Sequence, residues 1–467
     1  MYIYRRKSRI DAGSIIFIII FILVSAGTGY LAYTDRGKFW DILPFTCIPV
    51  IIISLIFIIV NFVRRTRGST FFILFFLLSV TGLILTNFFG PFALNKTAEK
   101  SFDNKNYEHS INQYKALLDN YPNSRHANTA LGNISFAYFS NKNYKEAIDS
   151  FNEAISLEIF SDDDLEIKKS LEECYIKLSD EYYNNKEYEL SAGNYLKAVT
   201  VLEDIKNNFS STDEAFISIY KIPEYLYKAA LGFNKVRNWE KSLECLEAIV
   251  NDYDESKYYY DASYLLSDTY ISKSIELIDS SNQQEGVEEF LKIFELDALD
   301  YDYSSINEYQ KSGVFPNISL NTLKKIAGEK YSSGEYEKSL FLYKTIIEYN
   351  PQTEEEITPR LIDSKLKSIY SSDHNLLEQP APVRRFRGPG KSILVIENST
   401  EFNLTVYLKG PDYRVVEVEN NSTLEVEITS GSYETALDSD NMDNLPYYGE
   451  LEYGEGQRYL VEYPIIE

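Results

Sequence analysis

Small and bulky residues recur in a fixed pattern between about residues 96 and 370. A small residue on one predicted helix is followed twelve positions later by a second one on the next, as for Ser135 and Ala147. A ring lies three positions before the second small residue, and apolar side chains lie four and seven positions after it. These offsets share one helical face, so the pattern predicts closely packed antiparallel helix pairs. The pairs are Ala98 and Ser110, Ser135 and Ala147, Ser179 and Ser191, Ala230 and Ser242, and Ala327 and Ser339.

A sixth unit departs from this spacing. Ser267 and Gly286 stand nineteen positions apart, which predicts helices about two turns longer in that unit. Successive units lie thirty-seven to fifty-three positions apart, so we expect an irregular superhelix. A final helix, roughly Glu355–Tyr370, should cap the array, because a repeat array must end on a polar outer face.

The pattern resembles the tetratricopeptide repeat (TPR). The resemblance is clearest in ISFAYFSNKNYKEAIDSFNEAISL at 134–157, and turn prolines are present as Pro122 and Pro351. ALLDNYPNSRHANTALGNISFAY at 116–138 is similar to repeats of envelope-assembly lipoproteins, in which YPxS joins two units. The resemblance implies a TPR-like α-solenoid of about six repeats plus a capping helix, covering residues 96–370, whose first helices line a concave groove.

The same resemblance, carried over by repeat phase, implies a set of groove residues. Aromatic rings beside carboxylates suit an extended or helical peptide with basic and apolar side chains. The alternative is that these rings only pack between repeats. The residues are Phe136, Phe139, Glu173, Asp180, Tyr183, Tyr227 and Tyr331.

Three uncharged runs precede the array, at 12–34, 42–63 and 68–95. Each is long enough to cross a hydrocarbon core of about 30 Å as a helix. Residues 1–95 are therefore predicted to be a membrane anchor with three transmembrane helices.

The basic residues near these runs predict the orientation. Lys and Arg concentrate before the first run and at 64–67, and only Arg36 and Lys38 lie between the first two runs. The positive-inside rule then gives a multi-pass plasma membrane protein with a cytoplasmic N-terminus and extracytoplasmic repeat and β domains. A cleaved signal peptide, with VSAG at 24–27 as a weak processing site, would leave two crossings and the same outer location.

After a Pro- and Arg-containing linker at 371–390, the hydrophobic period changes to two. Seven short alternating segments, separated by turn residues, predict a small all-β sandwich at 391–467. It resembles small β domains of bacterial surface proteins, with a GPxxRxVxV hairpin at 410–418 and a GSY turn at Gly431–Tyr433.

Charge and motifs narrow the function. Residues after 94 hold 37 basic and 67 acidic residues, a net charge of −30, which disfavours binding to nucleic acid or anionic lipid. The sequence contains no HExxH, GxSxG or GxGxxG run, and its three cysteines and three histidines show no zinc spacing. We therefore predict no enzyme activity, no catalytic residue, no cofactor and no metal site. The acidic run Asp162–Asp164 fits the start of a helix better than calcium binding.

Three hypotheses for function follow. The leading one is a membrane-anchored scaffold that binds other proteins, namely basic and apolar segments of envelope proteins. The second is a surface protein that binds glycan or cell-wall polymer through its β domain, with the array as a spacer and Tyr447 and Tyr448 as the candidate rings. The third is an enzyme or an enzyme-regulating subunit.

The predicted topology can be tested by proteolysis. Protease added to intact spheroplasts should digest the chain beyond Leu94 and leave the segment at 64–67 protected, because the basic segments are expected to stay in the cytoplasm. Protection of the body beyond Leu94 would contradict the orientation.

Overall fold

The computed structural model describes residues 19, 36–63, 69–161, 164–296, 311, 313–440 and 445–462. The chain divides into two compact units, Met1–Tyr258 and Tyr259–Glu467. Apart from Ile19, the first predicted span lies outside the described residues, as do the basic residues at 64–67 and Asp162 and Asp163.

The described part of the first unit is helical. Within the described residues, Phe72–Asp103 is long and apolar enough to cross a bilayer, and Thr46–Val60 is a shorter apolar helix. One of the three predicted spans thus coincides with a helix of sufficient length and apolar composition, and membrane crossing by the three spans stays a prediction. The helices are α1 Arg36–Val63, α2 Ser69–Asp103, α3 Tyr107–Asn120, α4 Ala127–Ser140, α5 Tyr144–Ser156, α6 Leu165–Asn184, α7 Tyr188–Asn208, α8 Asp213–Lys235 and α9 Trp239–Asp252.

The predicted third span and the first repeat are one helix. α2 runs through residues 95 and 96 without a break, so the predicted boundary between anchor and array falls inside it. The first helix of the array therefore continues directly from the apolar segment.

The predicted small residues face each other across paired helices. In four of five pairs a serine hydroxyl donates a hydrogen bond to the partner's backbone carbonyl, so the helices lie in close contact. The bonds are Ser110 to Ala98 (2.9 Å), Ser179 to Ser191 (3.0 Å), Ser242 to Ala230 (3.3 Å) and Ser339 to Ala327 (2.9 Å). In the fifth pair Ser135 donates to Leu131 on its own helix, and Ala147 is fully buried against the neighbouring helix.

Each turn between paired helices is built in the same way. A residue with a left-handed backbone conformation lies five positions before the second small residue. Two aromatic rings in contact with each other flank four of the turns. The left-handed residues are Lys105, Lys142, Lys186, Arg237, Ser281 and Gly334. The ring pairs are Phe102 and Tyr107 (5.4 Å), Phe139 and Tyr144 (6.5 Å), Tyr183 and Tyr188 (5.2 Å), and Tyr331 and Tyr336 (5.4 Å).

The second unit starts with the irregular repeat, and the predicted pairing there is wrong. A Cβ added at Gly286 would lie 2.9 Å from the carbonyl oxygen of Ser274, so the true partner of Gly286 is Ser274, at the usual spacing of twelve. Gln283 stands where the other units carry a ring. The first helix of this unit has 21 residues and the second has 9, so the second helix is not lengthened as predicted.

The remaining helices complete the array and cap it. Short 3₁₀ turns at Lys292–Glu295, Phe315–Asn317 and Pro351–Thr353 connect some of them. The predicted capping helix is confirmed as α14. The helices are α10 Tyr259–Asp279, α11 Gln283–Leu291, α12 Leu320–Ser333, α13 Tyr336–Tyr349 and α14 Glu354–Ser371.

The C-terminal part forms two sheets around one core. The sheets have the orders β1-β8-β7-β4-β5 and β2-β9-β3-β6, and both contribute to the core, for example through Ile396 of β3 and Leu408 of β4. The predicted sandwich is thus present. The strands are β1 Asn375–Leu376, β2 Pro382–Arg385, β3 Lys391–Asn398, β4 Leu404–Lys409, β5 Tyr413–Val418, β6 Ser422–Thr429, β7 Gly431–Ser439, β8 Tyr447–Tyr453 and β9 Gln457–Glu462.

The segment at 371–390 is part of the sandwich as well as a linker. Its β1 pairs with β8 and its β2 pairs with β9, so it adds an edge strand to each sheet. The outer face of α14 is polar, as expected, but the sheet covers it. Lys365 pairs with Asp438 at 2.6 Å and Lys409 pairs with Asp363 at 2.5 Å.

Two glycines, one inside α12 and one at its end, provide a test of the turn geometry. Gly334 has a φ of 86° and open space around its Cα, so Gly334→Ala should lower the free energy of unfolding by about 1 kcal/mol through backbone strain alone. Gly328 is the matched control, because it lies inside the helix and has the same open space around its Cα. Gly328→Ala should raise the free energy of unfolding by about 0.5–1 kcal/mol. Urea unfolding of the purified chain measures both. Equal effects of the two substitutions would contradict the assignment of a left-handed turn.

Candidate functional site

A groove in the first unit lies between the first helices of two successive repeats. It has a volume of about 410 Å³, which suits one or two side chains of a partner. Its lining comes from α6, α7 and α8, so three helices of neighbouring repeats must be in place before it exists. The lining residues are Asp180, Tyr183, Asn184, Tyr195, Lys228 and Leu231.

The ends of two of these helices are fixed by capping side chains. Asp164 accepts hydrogen bonds from the backbone N–H groups of Glu166 and Ile167, which starts α6. Thr212 accepts from the N–H of Ala215, which starts α8. Capping satisfies N–H groups that the first helical turn leaves unpaired. The expected capping role is confirmed for Asp164.

The floor of the groove is held by a hydrogen bond between two helices. Tyr195 of α7 donates to Asp180 of α6 at 2.6 Å. Burial, and then the bond to Asp180, raise the pKa of Tyr195, so its hydroxyl remains a donor at neutral pH. The carboxylate of Asp180 is thereby oriented at the groove edge.

The opposite wall carries a lysine above two rings. Lys228 Nζ lies 5.6 Å from the ring centroid of Tyr195 and 5.8 Å from that of Tyr225, and pairs with Glu224 at 2.8 Å. Tyr225 in turn donates to the buried carboxylate of Glu172 on α6 at 2.8 Å. These contacts tie α6, α7 and α8 together, and they leave the ring of Tyr183 as the large exposed apolar surface of the groove.

The helix pairs, their twelve-residue spacing and the groove between successive first helices establish the fold. The array is a TPR-like helical repeat, as predicted. No protein-family model and no curated protein matches the chain.

The chain is similar to several solved TPR structures. A TPR protein from Bacteroides fragilis shares 16% identity over 59% of this chain and 97% of its own, with a TM-score of 0.26. A TPR protein from Parabacteroides merdae shares 14% identity over 59% of this chain and 98% of its own, with a TM-score of 0.22. The TPR2AB domain of yeast Sti1, solved in a complex with pHSP90, shares 14% identity over 59% of this chain and 98% of its own, with a TM-score of 0.20.

The structure brings together two of the seven predicted groove residues. Asp180 and Tyr183 both line the groove, and Tyr183 is 41% exposed. Glu173 is exposed on the same helix, two turns before Asp180. Tyr227 lies beside Lys228 in the sequence, and its ring contacts Tyr258 at 5.5 Å.

The other three predicted residues contact side chains of their own repeat or of the capping helix. Phe136 packs edge-on against Phe151 at 5.1 Å, and Phe139 packs against Tyr144. Tyr331, in the second unit, donates a hydrogen bond to Asp363. Each of these rings thus contacts another side chain of the array, and its role in a groove stays a prediction.

Sequence reasoning missed Asn184, Tyr195, Lys228 and Leu231. Tyr195 occupies the position four residues after the small residue Ser191, which the pattern assigned to the core. Its polar hydroxyl was the available signal, because a tyrosine at a core position needs a hydrogen-bond partner.

Proposed function

We propose that this protein is a non-enzymatic scaffold, anchored in the plasma membrane by three N-terminal spans. Its TPR array binds a segment of another envelope protein on the extracytoplasmic side. The apolar helix Phe72–Asp103, which continues into the first repeat, supports the anchoring, and the placement of basic residues supports the sidedness.

The observation that carries the proposal is the groove at Tyr183. Its floor is fixed by hydrogen bonds and cation–π contacts within the array, so little ordering would be needed when a partner binds. The exposed ring of Tyr183 can act as the apolar anchor, because buried aromatic rings carry much of the energy in protein interfaces.

Charge defines the partner further. Glu173 and Asp180 are exposed and seven positions apart on α6, which puts them on one face. The body beyond residue 94 has a net charge of −30. A segment with basic and apolar side chains is therefore the complementary ligand.

Binding kinetics of groove variants test the proposal. A photo-crosslinking residue at position 231 would recover the partner from membranes, with position 190, exposed and outside the groove, as the control site. Tyr183→Ala should weaken binding by about 1–2 kcal/mol, mainly through faster dissociation. Tyr413→Ala removes a ring of similar exposure, 43%, from β5 and should have no effect.

A double charge variant separates the role of the rim from that of the ring. Glu173→Gln with Asp180→Asn should slow association and reduce its salt dependence, while the new amide oxygen at position 180 can still accept the bond from Tyr195. If both groove variants bind as the unmodified chain does, the groove is not the binding site.

A second candidate function, binding of glycan or wall polymer, is favoured by a ring cluster in the second unit. The ring of Tyr448 lies 5.4 Å from that of Tyr370 and 5.7 Å from that of His374, and Tyr370 is 61% exposed. Tyr447, the other expected ring, is 6% exposed, because successive strand residues point to opposite faces. The expected pair is therefore replaced by Tyr448, Tyr370 and His374.

Titration calorimetry with soluble wall fragments tests this second candidate. Aromatic rings provide flat apolar faces on which sugar rings can stack. Tyr370→Ala should then weaken fragment binding by roughly tenfold, or about 1.4 kcal/mol, and Tyr413→Ala should not. Equal affinity of the unmodified chain and the Tyr370→Ala variant would exclude the ring cluster as a glycan site.

A further inference from the structure

Helix α8 exposes an apolar patch at its start. Phe216, Ile217, Ile219 and Tyr220 are 61%, 46%, 44% and 60% exposed, and the rings of Phe216 and Tyr220 contact each other at 5.0 Å. Ala215, Ser218 and Ile222 are the buried residues of this segment. We call the four exposed residues the α8 patch. The groove proposed above lies at the other end of the helix, around Lys228 and Leu231.

The α8 patch lies on a part of the helix that a short repeat lacks. α8 begins seventeen positions before its small residue Ala230, whereas α4 begins eight positions before Ser135. At a rise of about 1.5 Å per residue, the added length extends α8 by about 14 Å. α6 also begins early, but the charged side chains of Glu166 and Lys169 are exposed near its start. The extension of α8 is not needed for packing of its pair with α9, which takes place around Ala230.

Counting from the small residue relates the patch to the apolar helix α2. Phe216 and Tyr220 lie fourteen and ten positions before Ala230. The residues at the same offsets before the small residue of α2 are Ile84 and Phe88, which are 63% and 78% exposed and belong to the helix able to cross a bilayer. The patch thus has the same register as the outer part of that helix.

Contacts in the first two repeats relate this register to position in space for α4. The connection from α3 to α4 touches α2 near the end of its apolar segment. A Cβ added at Gly90 would lie 2.7 Å from the hydroxyl oxygen of Tyr121, and the ring of His126 lies 5.9 Å from that of Phe92. Gly90 stands eight positions before the small residue of α2, and α4 begins at the same offset before its own small residue. The start of α4 therefore lies level with its counterpart on α2, and we extend the same register to α8.

We propose that the α8 patch rests on the outer surface of the bilayer, beside the point where α2 leaves it. The inference depends on the proposed membrane anchoring. Phe, Ile and Tyr are side chains that bind at the boundary between headgroups and acyl chains. The first turn of α8 carries two acidic residues, of which Glu214 is paired with Lys169 at 3.2 Å and Asp213 is exposed at the first position of the helix.

The chemistry of the contact is apolar. The body beyond residue 94 carries a net charge of −30, so anionic lipid would repel it. Zwitterionic phosphatidylcholine is the matching surface, and the contact should persist at high salt, because apolar burial is not screened. This contact would hold the array at a fixed tilt and place the groove end of α8 away from the membrane.

Fluorescence quenching in nanodiscs tests the contact on the full chain. Phe216→Cys is labelled with bimane in a Cys47→Ala background. Burial raises the pKa of both Cys174 and Cys245 to about 12, so these thiols do not compete for the label. Val236→Cys is the matched control, since Val236 is 41% exposed at the far end of the same helix, about 30 Å away. Phe88→Cys reports on the anchor itself.

The expected result is quenching by doxyl-labelled phosphatidylcholine at positions 88 and 216 and none at position 236. At 216 the signal should fall by roughly half, given a burial depth of about 5–10 Å. Quenching at 88 without quenching at 216 overturns the patch contact and leaves the anchor intact. A blue-shifted but unquenched probe at 216 means that a second protein surface covers the patch, and also overturns it. Equal quenching at 216 and 236 contradicts the proposed tilt, in which only the start of α8 touches the bilayer. Absence of quenching at 88 contradicts the membrane anchoring itself.

Discussion

The structure depends on the close approach of two helices at a pair of small residues. Where a serine hydroxyl of one helix donates to a carbonyl of the other, as from Ser339 to Ala327 at 2.9 Å, the two backbones must lie almost in contact. A larger side chain at either position would separate the helices, because packed interiors do not absorb added volume without strain. The ring beside the turn and the apolar residues that follow then pack on the same face.

This constraint fixes how the two helices of a repeat pack and leaves function to the surfaces between helices. The groove at Tyr183 needs the side chains of three helices, and its supporting contacts lie both within one repeat, between Tyr195 and Asp180, and between neighbouring repeats, between Tyr225 and Glu172. The bond from Tyr195 to Asp180 and the one from Tyr225 to Glu172 both serve as links in the array and as supports of the groove. A substitution that weakened one of these links would therefore alter binding and stability together.

Local rules also explain the two places where the chain departs from its own pattern. In the irregular repeat, Gly286 keeps the close contact with Ser274, and the added length lies before that contact, where it does not disturb packing. At the end of the array, the polar outer face of α14 is covered by a sheet and not by solvent. Two ion pairs join them, Lys365 of the helix to Asp438 and Asp363 of the helix to Lys409. The array and the sandwich of the second unit thus share one boundary.

The sequence by itself determined five of the helix pairs and their phase, the capping helix and the seven core strands. Each of these features depends on the spacing of apolar and small residues along a short stretch of chain. Periods of 3.6 for a helix and 2 for a strand follow directly from backbone geometry. The tertiary structure decided which exposed residues meet. Asp180 and Tyr195 are fifteen positions apart in the chain, and Lys228 is farther still, yet helix packing brings them to one groove. It also decided that Phe136 turns toward Phe151 and that Tyr447 enters the sandwich core, because the face that a neighbour covers is fixed only when the elements assemble.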